Sequence, residues 1–320
     1  MSESTMEHGV VVAGYDGSGS AALATLWAAA EADSRGHHLL IVAAAGWPTL
    51  PEPALTPPIW PTPLAHITAD AITLAHAETH LAAIAHECQR LHPHLHVQTH
   101  IVFGHPTEAL CRAAADAHLL VIGPPTTSRP RLTARGATAT QLVRRCDRPI
   151  VIVRNSTWHA GAPAPVDGGH VVVGVDQSSI RATRFAYAYA AQHHCTLIAV
   201  HAWPAPRAKT PTNLRRDWHN EWEHAEWLLT QLLADHFARY PGVPVHRVVT
   251  QDQPTRALRR HADGATLLVI GHHTHPTPHH PTTTSISNTL IHHPPCPLAV
   301  LRDTPPTTLR ARAHPCHLGP

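Results

Sequence analysis

The stretch LLVIGPPTTSRPRLTARGATATQLVRRCDRPIVIV, residues 119–153, occurs twice in outline. Its opening pentapeptide LLVIG returns at 267–271, again followed by a long polar loop, a helix-like segment and a Pro-led apolar run at 297–301. A short apolar run ending in Gly, then a loop, then a helix start is how a parallel α/β sheet turns backbone N–H groups toward an anionic ligand. A second pair of landmarks lies upstream: VVAGYDGS at 11–18 matches VVVGVDQS at 171–178, with Gly14/Gly174, Asp16/Asp176 and Ser18/Ser178 each 160 residues apart. The LLVIG pair is 148 apart, so the second copy is 12 residues shorter between the two landmarks. Two landmarks repeated in the same order mark an internal duplication.

Each copy alternates strand-like and helix-like patterns, the signature of a parallel sheet covered on both faces. Short runs rich in β-branched residues predict strands at 10–14, 39–44, 96–102, 119–123 and 150–153, and at 170–175, 196–201, 245–250, 267–271 and 298–301. Helices are expected at 21–35, 64–91, 107–115 and 138–145, and at 180–193, 214–240, 255–262 and 285–292. The domains are therefore 7–155 and 169–303, joined by a Pro- and Gly-marked linker at 156–168 and followed by a flexible tail at 304–320. The proline-dense segment 47–63 reads as a loop over one end of the first sheet.

Composition narrows the function classes. A net charge of +2 over 320 residues gives no electrostatic case for nucleic acid or an anionic membrane. The longest apolar runs are strand-sized, and MSESTMEHG at the start lacks the apolar region of a secretory signal, so a cytoplasmic location is expected. Six cysteines without a C-x-x-C pair then read as reduced thiols. The 32 His and 31 Pro, beside a single lysine (Lys209), point to a codon bias that discounts every argument from one histidine.

Several of these residues together resemble the universal stress protein family. They are VVAGYDGS with Ser20 and Ala21 opening a helix, its copy VVVGVDQSS, Gly104-x-Pro106 before a helix, the LLVIG strand, and the helix running into a Pro-started last strand. The resemblance covers nearly everything but the tail. It implies two tandem doubly wound α/β domains of the adenine nucleotide alpha hydrolase-like type, each with a five-stranded parallel sheet. It also implies pairing through the last strand, here within one chain as an intramolecular pseudo-dimer with residues 150–153 facing 298–301; a further homodimer stays open. ATP-binding members carry Gly, two residues, Gly, nine residues, Gly, then Ser or Thr. Carried onto this chain, the first copy gives Gly123, Thr126 in place of the second Gly, Gly136, and Ala137 in place of the hydroxyl. The second gives Gly271, Thr274, Thr284 in place of the third Gly, then Ser285, with Ser287 following. Glycines let backbone amides approach phosphate and a hydroxyl adds a donor, so each copy keeps the spacing and part of the donor set. The family's first-strand aspartate, which contacts the adenosine part, is present as Asp16 and Asp176. An aspartate there also serves as a helix cap, and the two roles can coexist.

The resemblance thus implies a cytosolic stress-response module binding ATP through Asp16, Gly123, Thr126 and Gly136 or through Asp176, Gly271, Thr274, Ser285 and Ser287. The alternative is an interaction scaffold for an unidentified protein partner, with both sites degenerate. Arg129, Arg131 and Arg135 are placed to reach a phosphate, although a solvated basic loop is the simpler account. The loop holding His272, His273, His275, His279 and His280 allows metal binding or a pH response, but it has no Cys or carboxylate partner nearby, so no metal is assigned. Trp218, Trp222 and Trp227 fit a core face or an interaction stripe of one helix, with Glu221, Glu223 and Glu226 on its solvated side. Neither G-x-x-x-x-G-K-[ST], G-x-S-x-G nor H-E-x-x-H occurs, and Lys209 is remote from both loops, so no enzyme is expected beyond slow incidental ATP hydrolysis.

Overall fold

The computed structural model describes residues 9–45, 63–124, 137–154, 169–203, 214–272 and 283–302. The first copy runs β1 (Val10–Gly14), α1 (Gly19–Ser34), β2 (His38–Ala45), α2 (Pro63–Leu91), β3 (Val97–Phe103), α3 (Pro106–Ala113), β4 (Leu119–Ile122), α4 (Ala137–Arg145) and β5 (Ile150–Ile152). The second repeats it as β6 (His170–Gly174), α5 (Ile180–Gln192), β7 (Thr196–Trp203), α6 (Leu214–Arg239), β8 (Val245–Gln251), α7 (Pro254–His261), β9 (Leu267–His272), α8 (Thr283–His292) and β10 (Leu298–Arg302). All the strands and helices expected from the pattern are present, with ends shifted by a residue or two. The linker 156–168, the segment 47–62, the tail 304–320, Lys209 and the arginines of the first polar loop lie outside the described residues.

The two expected five-stranded sheets are halves of one ten-stranded sheet, ordered β3-β2-β1-β4-β5-β10-β9-β6-β7-β8. Pairing is parallel within each half, and β5 meets β10 antiparallel, with Leu298 opposite Ile152, Ala299 opposite Val151 and Val300 opposite Ile150. This is the seam expected from the last strands. Strand residues alternate between two cores. Val11, Ala13, Val121, Val151, Val173 and Ala299 face the layer of α1, α2, α5 and α6. Val12, Leu120, Ile150, Ile152, Leu268 and Leu298 face the layer of α3, α4, α7 and α8. Both faces of the central strands are dry, which is why these strands read as unbroken apolar runs. Each buried Val, Leu or Ile among them contributes roughly 1.5–3 kcal/mol by leaving water. Polar bonds also cross the seam: the Arg181 guanidinium donates to the carbonyls of Arg302 (2.8 Å) and Asp147 (2.7 Å), and Arg302 donates to the Arg144 carbonyl (2.8 Å) and pairs with Asp147.

Next to the seam, α1 and α5 enclose a charged cluster. The Glu31 side chain is 2% exposed, with one carboxylate oxygen 2.5 Å from Arg35 Nε and the other 2.9 Å from His193 Nε2 of the second copy. The Arg35 guanidinium lies over the buried Tyr189 ring at 6.0 Å, and that ring stands 4.3 Å from the His193 ring. Burial by itself would raise the Glu31 pKa; the contact with His193 and the Arg35 charge outweigh it and hold the carboxyl below its ordinary value.

His118, which leads into β4, packs edge-on against His37 with ring centroids 5.2 Å apart. Burial, then the charges of Arg35 and His37, push its pKa down to about 4. The unfolded chain takes up this proton near pH 6.5 while the folded chain stays neutral until about 4, so stability is full above 6.5 and declines as pH falls toward 4. Urea unfolding of the His118→Gln variant at pH 7 and pH 5 should show a smaller loss than the parent. Equal losses would remove His118 from the account.

Three sequence readings are corrected or narrowed. Cys111 and Cys146 are not reduced thiols but form a disulfide, because the fold sets α3 beside the C-terminal end of α4 with the two Cα atoms 5.4 Å apart. They are 35 residues apart, so no local spacing signals the bond. Trp227 is not in the core: it is 58% exposed and stacks on His224, whereas Trp222 packs edge-on against Trp203. The Trp218 and Glu221 side chains lie outside the described residues, and Glu223 and Glu226 are exposed as expected. Finally, neither first-strand aspartate is the N-cap of the following helix. That position belongs to Ser18 in α1 and Ser179 in α5.

Candidate functional site

In each half the strand order reverses between the first and fourth strands, β1/β4 and β6/β9, and the crevice beyond their carboxyl ends is where an open sheet receives a ligand. In the second copy this crevice is lined by Gly174, Val175, Asp176, Ser179, Val200 and Ala202 on one side. Pro254, Leu258, Ile270, Gly271, Ile286 and Ser287 line the other. The walls bring together three of the residues picked out from sequence, Asp176, Gly271 and Ser287. Ser285 belongs to α8 by its backbone; its side chain, and all of Thr274, lie outside the described residues.

Asp176 leaves β6 through a tight polar turn. Its Oδ1 accepts from the Ser178 N–H and hydroxyl, both at 2.9 Å. Ser179 Oγ accepts from the Asp176 N–H at 2.6 Å and donates to its carbonyl at 2.9 Å. A carboxylate held by the Ser178 N–H and hydroxyl in front of a helix start is oriented rather than buried, and it keeps partial contact with solvent. Behind it the Val175 N–H donates to the Val200 carbonyl at 2.9 Å, and His201, 8% exposed, donates from Nδ1 to the Val175 carbonyl at 2.8 Å. Ser287 is buried in the wall formed by the first turns of α8. The walled volume is about 60 Å³, room for a few waters, against roughly 300 Å³ for the smallest ordinary ligand pockets. A ligand the size of a nucleotide must therefore extend along the open side or spread the walls.

The first copy builds the same corner with different contacts. Asp16 Oδ1 accepts from the Ser18 N–H at 3.0 Å, and the intervening Gly17 sits at φ +79°, a backbone region costly for other residues. Ser18 Oγ caps α1 by accepting from the Ala21 N–H at 3.2 Å and lies 3.0 Å from Ser20 Oγ. Gly123, at the end of β4, passes so close to this helix start that a Cβ there would meet the Ser20 carbonyl carbon at 3.0 Å and the Ala21 nitrogen at 3.1 Å. The glycine is thus required by packing against α1 in addition to any ligand role. Gly123→Ala should lower stability by about 1–3 kcal/mol, read as a reduced Tm, because backbone rather than a flexible side chain must yield. An unchanged Tm would show that the approach is looser than described. Thr126 and Gly136 lie outside the described residues, so the first copy brings together Asp16 and Gly123 alone among its expected site residues.

Sequence reasoning missed Ser179, Val200, Ala202, Pro254 and Leu258. A signal for the last two existed: PTEAL at 106–110 recurs as PTRAL at 254–258, 148 residues on, and puts Pro and Leu of α3 and α7 at matching places. Among the described residues no group of three or more His, Cys, Asp or Glu side chains could hold a metal ion, and no helix is long and apolar enough to cross a membrane.

Two doubly wound halves fused edge to edge, each with an aspartate and a glycine-ended strand at its switch point, define a tandem α/β protein. The chain belongs to the universal stress protein family: the family profile matches residues 8–154 and again 169–302. A universal stress protein of Mycobacterium tuberculosis is 31% identical over 312 residues, covering 95% of this chain and 100% of the relative. A second from the same organism is 31% identical over 282 residues, 85% of this chain and 88% of the relative. The crystal structure of a universal stress protein from Archaeoglobus fulgidus superposes with a TM-score of 0.61 at 14% identity, covering 92% of this chain and 98% of that one, a likeness of fold.

Proposed function

We propose that the protein is a non-enzymatic, nucleotide-responsive stress module that works in the cytoplasm and binds an adenine nucleotide such as ATP in its second cleft. The observation that carries this reading is the convergence of Asp176, Gly271 and Ser287 on one crevice at the strand-order reversal. In the proposed pose the Asp176 carboxylate accepts hydrogen bonds from the adenosine part, and Val200, Ala202, Pro254 and Leu258 supply its apolar surroundings. The phosphates lie toward the start of α8, where Ser287 adds a hydroxyl donor to backbone N–H groups; the hydroxyls of Thr274 and Ser285, the others at the family motif's positions, lie outside what the structure describes. The first copy, through Asp16, Gly123, Thr126 and Gly136, is the second candidate site.

A scaffold reading, with both clefts degenerate and an unidentified protein as the ligand, has one observation in its favour: the narrowness of the second cleft. Native mass spectrometry of the untagged protein, as purified and after addition of ATP, separates the two. The nucleotide reading expects a mass increment of one or two adenine nucleotides per chain. The scaffold reading expects the bare chain under both conditions.

A further inference from the structure

We propose that Leu258 is the specificity-determining residue of the second cleft, where its side chain is the stop that sets how large a base can enter. The identity of the ligand as a nucleotide rests on the reading above; the role of Leu258 as a stop does not, and the test separates the two.

Much of the cleft stands on strands that cannot give way. Gly174 pairs with Val200 across β6 and β7, and Ile270 pairs with Val300 across β9 and β10, so the sheet fixes their positions. Leu258 comes instead from α7, a helix of eight residues, and it is the one large apolar side chain that α7 carries. Both its methyl carbons stand 3.4 Å from where a Cβ on Gly174 would be, and Ile270 Cγ2 stands 3.8 Å from the same point. The two side chains therefore meet over the last residue of β6, two residues before Asp176. Leu258 is 4% exposed, Ile270 3% and Val200 2%, so this end of the cleft is shut off from solvent. About 60 Å³ is left in front of them.

The first copy builds the same stop. Leu110, 148 residues earlier, has its methyl carbons 3.1 and 3.2 Å from the Cβ position on Gly14, and it is buried as well. Around that leucine the copies differ freely: Glu108 becomes Arg256 and Cys111 becomes Arg259. The leucine over the glycine is what both keep.

The chemistry of the walls decides what such a stop can select. Ser179 Oγ is taken up by the Asp176 backbone, accepting from its N–H at 2.6 Å and donating to its carbonyl at 2.9 Å. Around the adenosine part of the proposed pose, Val200, Ala202, Pro254, Leu258 and Ile270 offer no side-chain hydrogen bond. Apolar walls select by size, and one methylene that fits or clashes changes binding roughly 10–200-fold. Ala202 is already small, the Pro254 ring is rigid, and Val200 and Ile270 are held in the ladder. Trimming Leu258 is the change that deepens the cleft without disturbing the sheet.

The test titrates the full-length parent, Leu258→Ala, Leu258→Val and Leu258→Met with ATP and with two ATP analogues enlarged on the base. One carries benzyl on the exocyclic nitrogen, the other methylthio on the carbon between the ring nitrogens. In the parent at least one analogue should bind roughly tenfold or more weaker than ATP. Leu258→Ala should remove at least about tenfold of that penalty, Leu258→Val part of it, and the volume-conserving Leu258→Met none. Leu258→Val carries the comparison by itself if Leu258→Ala does not accumulate as folded protein. Adding Asp176→Asn to the truncated variant should weaken ATP and the favoured analogue together, which assigns the gain to this cleft. A second readout needs no nucleotide: dissolved benzene should raise the Tm of the truncated variant and leave the parent's unchanged, because an apolar space has been opened.

A parent that takes both analogues as tightly as ATP, analogue-to-ATP ratios unchanged by truncation, or a gain untouched by Asp176→Asn would overturn the proposal. So would an equal benzene response in parent and variant. Benzene stabilisation confined to the variant, with no ATP bound by either protein, would keep Leu258 as the stop and remove the nucleotide reading.

Discussion

Replacing Val151 by Asp should cost the fold at least about 3 kcal/mol, seen as a large drop in the urea midpoint or a failure to accumulate as soluble protein. Val151 is fully buried, opposite Ala299 in the antiparallel seam, and its side chain points into the core shared by α1 and α5. A carboxylate there is taken out of water into an apolar cluster. The milder Ile152→Ala, on the other face of the same strand, leaves a cavity and should cost about 2–5 kcal/mol without adding charge. Together the two variants ask whether the halves depend on each other. An unchanged midpoint for both would mean that the seam is not a packed interface and that the two copies fold as separate bodies.

Removing the buried acid beside that seam should rank second. Glu31→Ala leaves Arg35 and His193 facing each other across α1 and α5 with their shared anion gone, and breaking a buried pair in this way costs about 3–5 kcal/mol. The carboxyl's pKa is held below its ordinary value of 4.5 in the folded chain. Its contribution is therefore full above about 4.5 and fades as pH falls through the lower folded value, since the unfolded chain binds the proton first. Glu31→Gln keeps the shape and drops the charge. Its stability should consequently lie below the parent's at pH 7 and approach it at pH 3, measured by urea unfolding at each pH. A constant gap from pH 7 to pH 3 would show that shape, not charge, is what Glu31 supplies.

Much of the architecture was legible because its signals are local or repeated. Runs such as VVVAG and LLVI declare buried strands, and the doubled landmarks around Asp16 and Asp176 fix how those strands recur. The seam followed from the family resemblance, which implied pairing through the two Pro-led last strands. The cleft was half legible: Asp176, Gly271 and Ser287 were named by carrying the family's motif onto this chain, whereas Pro254 and Leu258 arrive from α7, whose repeat carries no chemistry of its own. Contacts made across long separations were not legible at all. Glu31 stands in the sequence as one of two acids, with Asp33, in an alanine-rich helix, and nothing near it announces His193 in the other copy. Cys111 and Cys146 likewise meet because helices pack, not because of any spacing between them. Trp227 shows the opposite failure, since helical periodicity gave it a face but not the depth to which that face is buried.

Calorimetric titration of the oxidised full-length protein with ATP, for the parent and for Asp176→Asn, tests the nucleotide cleft most directly. Saturable binding of at least one nucleotide per chain is expected, with affinity at the second site about tenfold or more weaker in the variant, where a charged acceptor becomes a neutral amide. Absence of saturable heat in the parent up to millimolar ATP, or identical isotherms for the two proteins, would contradict it.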